Sequence, residues 1–299
     1  MIHKRIDLTD VFPGLHSYHR EDIGEENPKI TKHGDTPSLY TYLHDVCAEI
    51  SGDAHISPAV IVCPGGGYAM TSEREGEAIA LRYFARGYQV FVLRYSAYAG
   101  WPIPLCEACA AVAYVRGHAD EFLVAPDKIA VIGFSAGGHL AASTSTLWHL
   151  PIVSETLGVS SSDCRPDASI LCYPVITSGE LAHRGSIVNL LKDRASDPEM
   201  LTLISPEKQV RSDTPPAFLW HTASDEVVPV ENSLLYGAAL SREHIPFEMH
   251  IYPKGPHGMA NSDRTVGLLT DRAVSAYVAP WMELSIKWLD TLFDTSNMP

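Results

Sequence analysis

A serine flanked by glycines constrains the fold of this chain more than any other feature. Residues 128–132 (KIAVI) have the apolar, β-branched character of a strand that is buried on both faces. The motif GFSAG follows at 133–137, and residues 140–144 (LAAST) continue as a predicted helix. A strand, a G-x-S-x-G motif and a helix in this order predict a nucleophile elbow centred on Ser135.

The geometry of such an elbow explains its residue types. The serine sits on a sharp turn with strained backbone dihedral angles, so Gly133 and Gly137, two positions away on either side, must lack bulk. The turn directs the backbone N–H of Ala136 toward a developing oxyanion, at the start of a helix whose dipole favours negative charge. The alternative is an ordinary Gly-Ser turn without a catalytic role.

Composition excludes several classes of function. The chain has 299 residues, of which 45% are hydrophobic and 19% charged, and this suits one large α/β domain or two small ones. The formal net charge of −14 argues against nucleic acid or an anionic membrane as partner, because both bind clustered Lys and Arg. No apolar run approaches the roughly 18 residues that cross a bilayer, and no apolar segment follows the charged N-terminus. We therefore expect a cytoplasmic protein without a signal peptide.

The cysteines give no indication of a metal site. Several lie in apolar, strand-like runs, which is typical of reduced, buried thiols in a cytoplasmic protein. The six are Cys47, Cys63, Cys106, Cys109, Cys164 and Cys172. Cys106 and Cys109 form a C-x-x-C pattern, but it lies in a predicted helix and no second pair accompanies it, so we interpret it as structural. We predict no metal and no organic cofactor.

The order of the predicted elements indicates the fold class. Strands alternate with helices, which predicts an α/β fold with a doubly wound, mostly parallel sheet. We predict strands at residues 39–46 (a candidate antiparallel strand), 59–63, 89–93, 128–132, 168–173, 217–221 and 247–252. Helices are predicted at 75–86, 104–117, 229–242 and from near Pro280 onward. In the last helix, apolar residues at helical spacing should pack on the sheet, namely Trp281, Leu284, Trp288 and Leu292.

The domain organisation follows from the absence of repeats and linkers. We predict a single domain over residues 1–299, with a polar N-terminal arm at 1–36 that contains one short strand. Residues 178–216 form a connection longer than an ordinary loop, with predicted helices at 186–194 and 198–203. Such insertions are typically lids or binding loops. The alternative is a surface excursion with no role in binding.

A serine nucleophile needs a base to take its proton and a third group to orient that base. Asp225 follows the predicted strand at 217–221, and His257 follows the strand at 247–252. Both would lie at the carboxyl edge of the sheet, in the order Ser, Asp, His that this elbow architecture uses. The rival residues fit less well: His221 and His250 lie within strands as expected of core or sheet-face histidines, His244 lies in a loop, and Glu226 is predicted to point elsewhere.

A glycine triplet supplies candidate oxyanion donors. It follows the predicted strand at 59–63, and glycines allow backbone N–H groups to approach a substrate closely. We predict that Gly66 and Gly67, together with Ala136, form the oxyanion hole. The triplet is not a dinucleotide fingerprint, because the third glycine would fall on Met70, and no Gly-Lys-Ser/Thr of a phosphate loop follows it.

Four motifs together resemble the α/β-hydrolase family: PGGGY at 64–68, GFSAGGH at 133–139, DEVVP at 225–229 and GPHG at 255–258. More closely, they resemble its acetyl-xylan-esterase-like branch of carbohydrate esterases, related to hormone-sensitive lipase. The resemblance covers the chain from about residue 38 to the end. One departure is Pro64, where the lipase-like pattern has a histidine before the three glycines, and this favours the sugar-esterase branch.

The resemblance implies a function. Ser135 would be the nucleophile, His257 the base, Asp225 its orienting acid, and Gly66, Gly67 and Ala136 the oxyanion donors. The implied substrate is a small molecule, an acetyl or other short acyl ester of a carbohydrate. Tyr68 and Trp101 are candidate sugar-stacking residues, with simple packing as the alternative.

Other functions stay open at this point. An arylformamidase-like amidase or a serine peptidase could use the same scaffold. A non-catalytic binding module is disfavoured because every catalytic position is filled. The sequence leaves open whether the chain forms a homodimer.

Overall fold

The computed structural model describes residues 1–16, 36–46, 56–266 and 274–293, together with Glu49. Cys47 and the later part of the predicted N-terminal arm, residues 17–35, lie outside the described residues. Within the described part of the chain, no helix is both long enough and apolar enough to span a membrane.

In the described ranges, eight strands form one sheet. They are β1 (Arg5–Asp7), β2 (Ser38–Tyr42), β3 (Ser57–Cys63), β4 (Gln89–Arg94), β5 (Val124–Phe134), β6 (Ala168–Cys172), β7 (Ala217–Thr222) and β8 (Phe247–Tyr252). The spatial order is β1-β2-β4-β3-β5-β6-β7-β8. Strands β3 to β8 pair in parallel, whereas β2 pairs antiparallel with both β1 and β4. The predicted doubly wound, mostly parallel sheet is confirmed, and so is the antiparallel early strand.

Helices cover both faces of this sheet. They are α1 (Glu77–Phe84), α2 (Ile103–Gly117), α3 (Ala119–Phe122), α4 (Ala136–Leu147), α5 (Pro151–Leu157), α6 (Arg184–Leu191), α7 (Pro198–Leu203), α8 (Glu231–Arg242) and α9 (Trp281–Leu292). Apolar side chains of α1 and α9 pack on one face, and those of α2, α4 and α8 pack on the other. Burial on both faces explains why β3, β4 and β6 are nearly continuous apolar runs.

The buried stripe of α9 differs from the sequence prediction. The side chains of Met282, Ile286 and Leu289 are buried, with Trp281 beside them at the start of the helix. Leu284 and Trp288 lie at the margin of the stripe, and Leu292 is 36% exposed. Of the predicted set, Trp281 therefore packs on the sheet, and Leu284 and Trp288 pack there in part. Met282, Ile286 and Leu289 complete the buried face and were not predicted. The helix and its start near Pro280 are confirmed, whereas Leu292 as a packing residue was wrong.

Helix α5 was not predicted, although its ends carry recognisable signals. It starts at Pro151, and proline suits the first helical turn because it lacks an N–H. Gly158 ends it in the left-handed conformation, with φ of 67°. The helix predicted at 75–86 starts two residues later, because Glu73–Glu75 form a separate 3₁₀ turn. This turn brings Glu75 into the interior.

Candidate active site

The strand that carries the serine lies at the centre of the sheet, between β3 and β6. Ser135 follows the end of β5 with φ of 54° and ψ of −119°, a strained conformation for a residue with a side chain. A Cβ on Gly133 would lie 2.0 Å from the carbonyl oxygen of Gly137. A Cβ on Gly137 would lie 2.1 Å from the carbonyl oxygen of Cys63. The glycines of the predicted elbow therefore allow the turn to close and the next helix to approach β3.

Replacing Gly137 with alanine is expected to destabilise the fold and to lower activity together. The new methyl group would meet the backbone of Cys63 and Pro64, which cannot move aside as a flexible side chain can. Overpacking of this kind costs about 1–3 kcal/mol or more. An ångström-scale displacement of a reacting group can cost about 10²-fold in rate. Urea denaturation and p-nitrophenyl acetate hydrolysis measure the two effects.

Gly117→Ala is the matched control for this substitution. Gly117 is the last residue of α2, and a Cβ there would meet nothing within 4 Å. We expect unchanged activity and a stability gain of up to about 1 kcal/mol, because alanine favours the helix. Equal stability of the two variants would contradict the close packing at Gly137.

The three residues predicted to act together do lie together. The hydroxyl of Ser135 is 2.8 Å from Nε2 of His257, and Nδ1 of His257 is 2.7 Å from Oδ2 of Asp225. Because Asp225 offers an acceptor, Nδ1–H donates to it and Nε2 is left to accept the serine proton. Asp225 comes from the loop after β7 and His257 from the loop after β8. Both loops lie at the carboxyl edge of the sheet, as predicted.

The carboxylate of Asp225 is saturated with donors. Oδ1 accepts the backbone N–H groups of Val227 and Val228, each at 2.9 Å. Oδ2 accepts from His257 and also lies 3.2 Å from Nε2 of His221. Burial raises the pKa of Asp225, but hydrogen bonds from the two histidines and from Val228, with the charge of His257, outweigh it and hold the pKa well below its usual value. This keeps Asp225 charged and able to orient His257.

The contact between His221 and Asp225 was not predicted from the sequence. His221 is fully buried in β7, as a core histidine would be, and it also contacts the acid of the candidate triad. Its Nε2 lies 3.0 Å from the carbonyl oxygen of Val228 as well. Two acceptors therefore face one nitrogen, so Nε2 carries the proton and Ser233 donates to Nδ1 at 2.8 Å. In the sequence, this contact is indicated by the spacing of four residues between His221, near the end of β7, and Asp225, in the loop that follows.

The glycine triplet lies beside the elbow. Gly66 and Gly67 have φ of 129° and 66°, the left-handed region that favours glycine. The loop is held by Tyr95, which donates to the carbonyl of Pro64 at 2.8 Å, and by Asn189, which donates to that of Gly67 at 2.8 Å. Within the described residues, the N–H groups of Gly66, Gly67 and Ala136 form no hydrogen bond. These amides are thus free to bind a ligand oxygen.

Tyr68 does not present its ring for sugar stacking. Its side chain is 1% exposed, and its hydroxyl lies 2.8 Å from Nδ1 of His139. Nε2 of His139 lies 2.7 Å from the carbonyl oxygen of Ile204, so Nε2–H donates to that oxygen and Tyr68 donates to Nδ1. Burial lowers the pKa of His139 to about 4, which keeps the ring neutral. Of the two readings of Tyr68, the structure favours packing over stacking.

Trp101 is half-buried at the margin of one apolar core, and its backbone N–H donates to the carbonyl of Leu190 at 2.8 Å. Trp101 stays a candidate for sugar stacking.

The insertion at 178–216 lies beside the glycine loop. Asn189 donates to the carbonyl of Gly67, and Ser186 Oγ would lie 3.8 Å from a Cβ on Gly67. Burial and then the charge of nearby His257 lower the pKa of His183. Residues 178–216 therefore contact the glycine loop and approach His257.

The described cysteines do not form a reactive group. Cys63, Cys106, Cys109, Cys164 and Cys172 are free and buried. Burial raises the pKa of Cys106 to about 11, so its thiol stays protonated at neutral pH. In the part of the chain that the structure describes, no group of three or more His, Cys, Asp or Glu side chains is arranged to hold a metal ion.

Comparison with models of known protein families identifies the family of this chain. A model of the BD-FAE family matches residues 45–240, which is more than half of the chain. The chain belongs to the BD-FAE family of α/β-hydrolase esterases. The matched part of this BD-FAE chain contains Ser135 and Asp225, and His257 lies beyond it.

Two curated relatives are similar to this BD-FAE chain. One is endo-1,4-β-xylanase B of Butyrivibrio fibrisolvens, which is 38% identical over 248 residues, 80% of this chain and 38% of that protein. The other is the acetylxylan esterase of Xylanibacter ruminicola, which is 34% identical over 206 residues, 67% of this chain and 40% of that protein. The chain thus spans about two fifths of the length of these relatives.

Solved structures share the fold over nearly the whole chain. The acetyl ester-xyloside bifunctional hydrolase of Caldicellulosiruptor lactoaceticus is 35% identical with a TM-score of 0.76, covering 97% of this chain and 96% of that one. The carboxylesterase Cest-2923 of Lactobacillus plantarum is 26% identical with a TM-score of 0.79, covering 97% and 98%. The α/β-hydrolase fold that the motifs predict is confirmed.

Proposed function

We propose that this BD-FAE protein is a serine esterase that removes acetyl or other short acyl groups from a carbohydrate. One observation carries the proposal. The hydroxyl of Ser135, the ring of His257 and the carboxylate of Asp225 form a continuous series of hydrogen bonds of 2.8 and 2.7 Å. This series ends at a strained elbow beside unpaired backbone amides.

The proposed reaction uses this geometry in two halves. Ser135 Oγ attacks the ester carbonyl while Nε2 of His257, which must be neutral, accepts the hydroxyl proton. His257 then gives this proton to the departing sugar alcohol, and the acyl group stays on Ser135. Water enters, His257 takes its proton, and the acid is released with the serine restored.

The charge that develops on the carbonyl oxygen needs preorganised donors. The N–H groups of Gly66, Gly67 and Ala136 are the proposed donors, because they are unpaired and Ala136 begins α4. The positive end of the helix dipole adds to the stabilisation. Asp225, held charged by its donors, stabilises the imidazolium that His257 forms in each half-reaction.

The carbohydrate part of the proposal rests on the relatives. Two proteins similar to this chain carry the names acetylxylan esterase and acetyl ester-xyloside bifunctional hydrolase. Residues 178–216 are proposed to shape access to the serine, because they contact the glycine loop through Asn189 and adjoin it through Ser186. A cytoplasmic location is proposed from the free, buried cysteines.

Release of acetate from acetylated xylo-oligosaccharides tests the proposal. We expect turnover of these sugars and of short-chain p-nitrophenyl esters, with long-chain esters hydrolysed poorly. Ser135→Ala serves as the control for contaminating esterases. Turnover of p-nitrophenyl acetate without any release of acetate from the sugars would support the esterase activity but contradict a carbohydrate substrate. Activity on aryl formamides with none on sugar acetates would instead favour the amidase.

A further inference from the structure

A buried carboxylate lies behind the glycine loop. Glu75 is 3% exposed and ends the short 3₁₀ turn that precedes α1. Its Oε2 accepts the backbone N–H of Gly65 at 2.8 Å. Gly65 immediately precedes the proposed oxyanion donors, so this bond fixes the first residue of the triplet.

Gly65 packs closely between the carboxylate of Glu75 and the side chain of Ser135. A Cβ on Gly65 would lie 2.8 Å from Oε2 of Glu75 and 3.0 Å from Cβ of Ser135. It would also lie 2.5 Å from the carbonyl oxygen of Phe134. Because the packing is so close, a change in the position of Glu75 is transmitted to the loop rather than absorbed by free space.

The other oxygen of Glu75 contacts the side of the site that carries the base. Oε1 accepts a hydrogen bond from the hydroxyl of Tyr173 at 2.7 Å. The same hydroxyl accepts a hydrogen bond from the backbone N–H of Ala260 at 2.9 Å. The ring of Tyr173 lies edge-on to that of His257, with centroids 5.0 Å apart. Ala260 lies three residues after His257, so one carboxylate is linked to both the glycine loop and the loop of the base.

We propose that Glu75 is a positioning residue for the oxyanion hole, which holds the glycine loop at a fixed distance from Ser135 while Tyr173 ties the same carboxylate to the His257 loop. The inference rests on the proposed esterase mechanism and is independent of the sugar. Glu75 does not touch the reacting atoms. It acts through Gly65 and Tyr173.

The arrangement requires a carboxylate in particular. Both oxygens of Glu75 face donors, the N–H of Gly65 and the hydroxyl of Tyr173. A glutamine has the same shape but can accept through only one of its two terminal atoms. If its NH₂ group faces Gly65, it opposes that N–H, and the tightly packed loop has to shift. If it faces Tyr173, that hydroxyl can accept from the NH₂ but loses the acceptor for its own proton, and the link to the His257 loop changes. Glu75→Gln therefore tests the position of the loop with little change in volume.

The test combines turnover with binding of an analogue of the tetrahedral intermediate. Butylboronic acid forms a bond from boron to Oγ of Ser135, and a boron-bound oxygen then occupies the oxyanion hole. For Glu75→Gln we expect kcat for p-nitrophenyl acetate to fall by roughly 10–100-fold, with KM close to the wild-type value. The inhibition constant of butylboronic acid should rise by a similar factor. A purely structural role would not separate KM from kcat in this way.

Glu107→Gln is the matched control. Glu107 is also fully buried and accepts one backbone N–H, that of Ser96, at 2.7 Å through Oε2. Its Oε1 has no hydrogen-bond partner among the described residues, so an amide NH₂ there opposes no donor. Burial raises the pKa of Glu107 to about 8, which favours its neutral form. We expect near-wild-type kcat and boronate inhibition.

Three outcomes would overturn the inference. The first is wild-type kcat in Glu75→Gln, and the second is a lower kcat with unchanged boronate inhibition, which would place the effect outside the oxyanion hole. The third is failure of the wild-type protein to bind the boronate or hydrolyse any ester, which would reject the proposed esterase as well. Should Glu75→Gln fail to fold, Glu75→Asp withdraws the carboxylate by about 1.5 Å and carries the same expectations.

Discussion

Replacing Ser135 with alanine is expected to lower kcat for acetyl esters by on the order of 10⁶, as removal of the nucleophile does in other serine hydrolases. The hydroxyl that forms the acyl-enzyme is lost, and His257 then has no serine proton to accept. The side chain of Ser135 is only 8% exposed, and its backbone bonds to Cys172, Val175 and His139 do not involve the hydroxyl. We therefore expect little change in the free energy of unfolding.

Labelling by a fluorophosphonate probe provides the second measurement, because the probe reacts with an activated serine. The wild-type protein should be labelled and Ser135→Ala should not. Ser143→Ala is the matched control, since Ser143 is a buried serine of α4 whose hydroxyl has no partner in the described part of the chain. Full activity of Ser135→Ala, or loss of labelling in Ser143→Ala, would contradict the assignment of the nucleophile.

Asp225→Asn is expected to lower kcat by on the order of 10⁴, because the base then loses its orientation and its correct tautomer. The structure adds a reason specific to this site. Both oxygens of Asp225 accept only, Oδ1 from two backbone N–H groups and Oδ2 from His257 and His221. An asparagine NH₂ must oppose one of these pairs of donors. Each buried donor left unpaired costs about 1–3 kcal/mol of stability.

The pH dependence of stability distinguishes this effect from a general loss of packing. The folded state holds the pKa of Asp225 below the value of about 3.9 that an unfolded aspartate has. Its stabilising contribution is therefore fully present above about pH 4 and is lost as the pH falls toward the folded-state value. Urea denaturation at pH 6 and pH 3 should show a smaller stability difference between wild type and Asp225→Asn at pH 3. A difference that does not change with pH would contradict the hydrogen-bonded, charged Asp225.

The fold and the grouping of Ser135, Asp225 and His257 could be predicted because their signals are local. Each follows its own apolar strand, and parallel strands bring their carboxyl ends to one edge of a sheet. The elbow glycines are likewise dictated by the turn itself. Element types were predicted well for the same reason. The buried face of α9 was predicted only in part, with Trp281 in it but Leu292 outside it, because several apolar residues compete for this face.

The supporting contacts could not be predicted because their partners are distant in the chain. Glu75 was assigned to a helix, and nothing near it indicates a tyrosine hydroxyl 98 residues away. The ring of Tyr68 was a candidate for stacking, but its hydroxyl bonds to His139, 71 residues away. His221 resembles a core histidine because it is one, and only the folded turn after β7 brings Asp225 against it. Burial of a polar group forces it to find a partner, but the sequence does not say which.

The insertion at 178–216 carries a consequence for altering substrate preference. Asn189 donates to Gly67, and Ile204 accepts from His139 in the first turns of the helix that follows Ser135. A replacement segment that lacked either anchor would change turnover along with selectivity. Libraries that vary exposed side chains of the same segment, such as Leu181 and Val188, would leave Asn189 and the backbone around Ile204 in place.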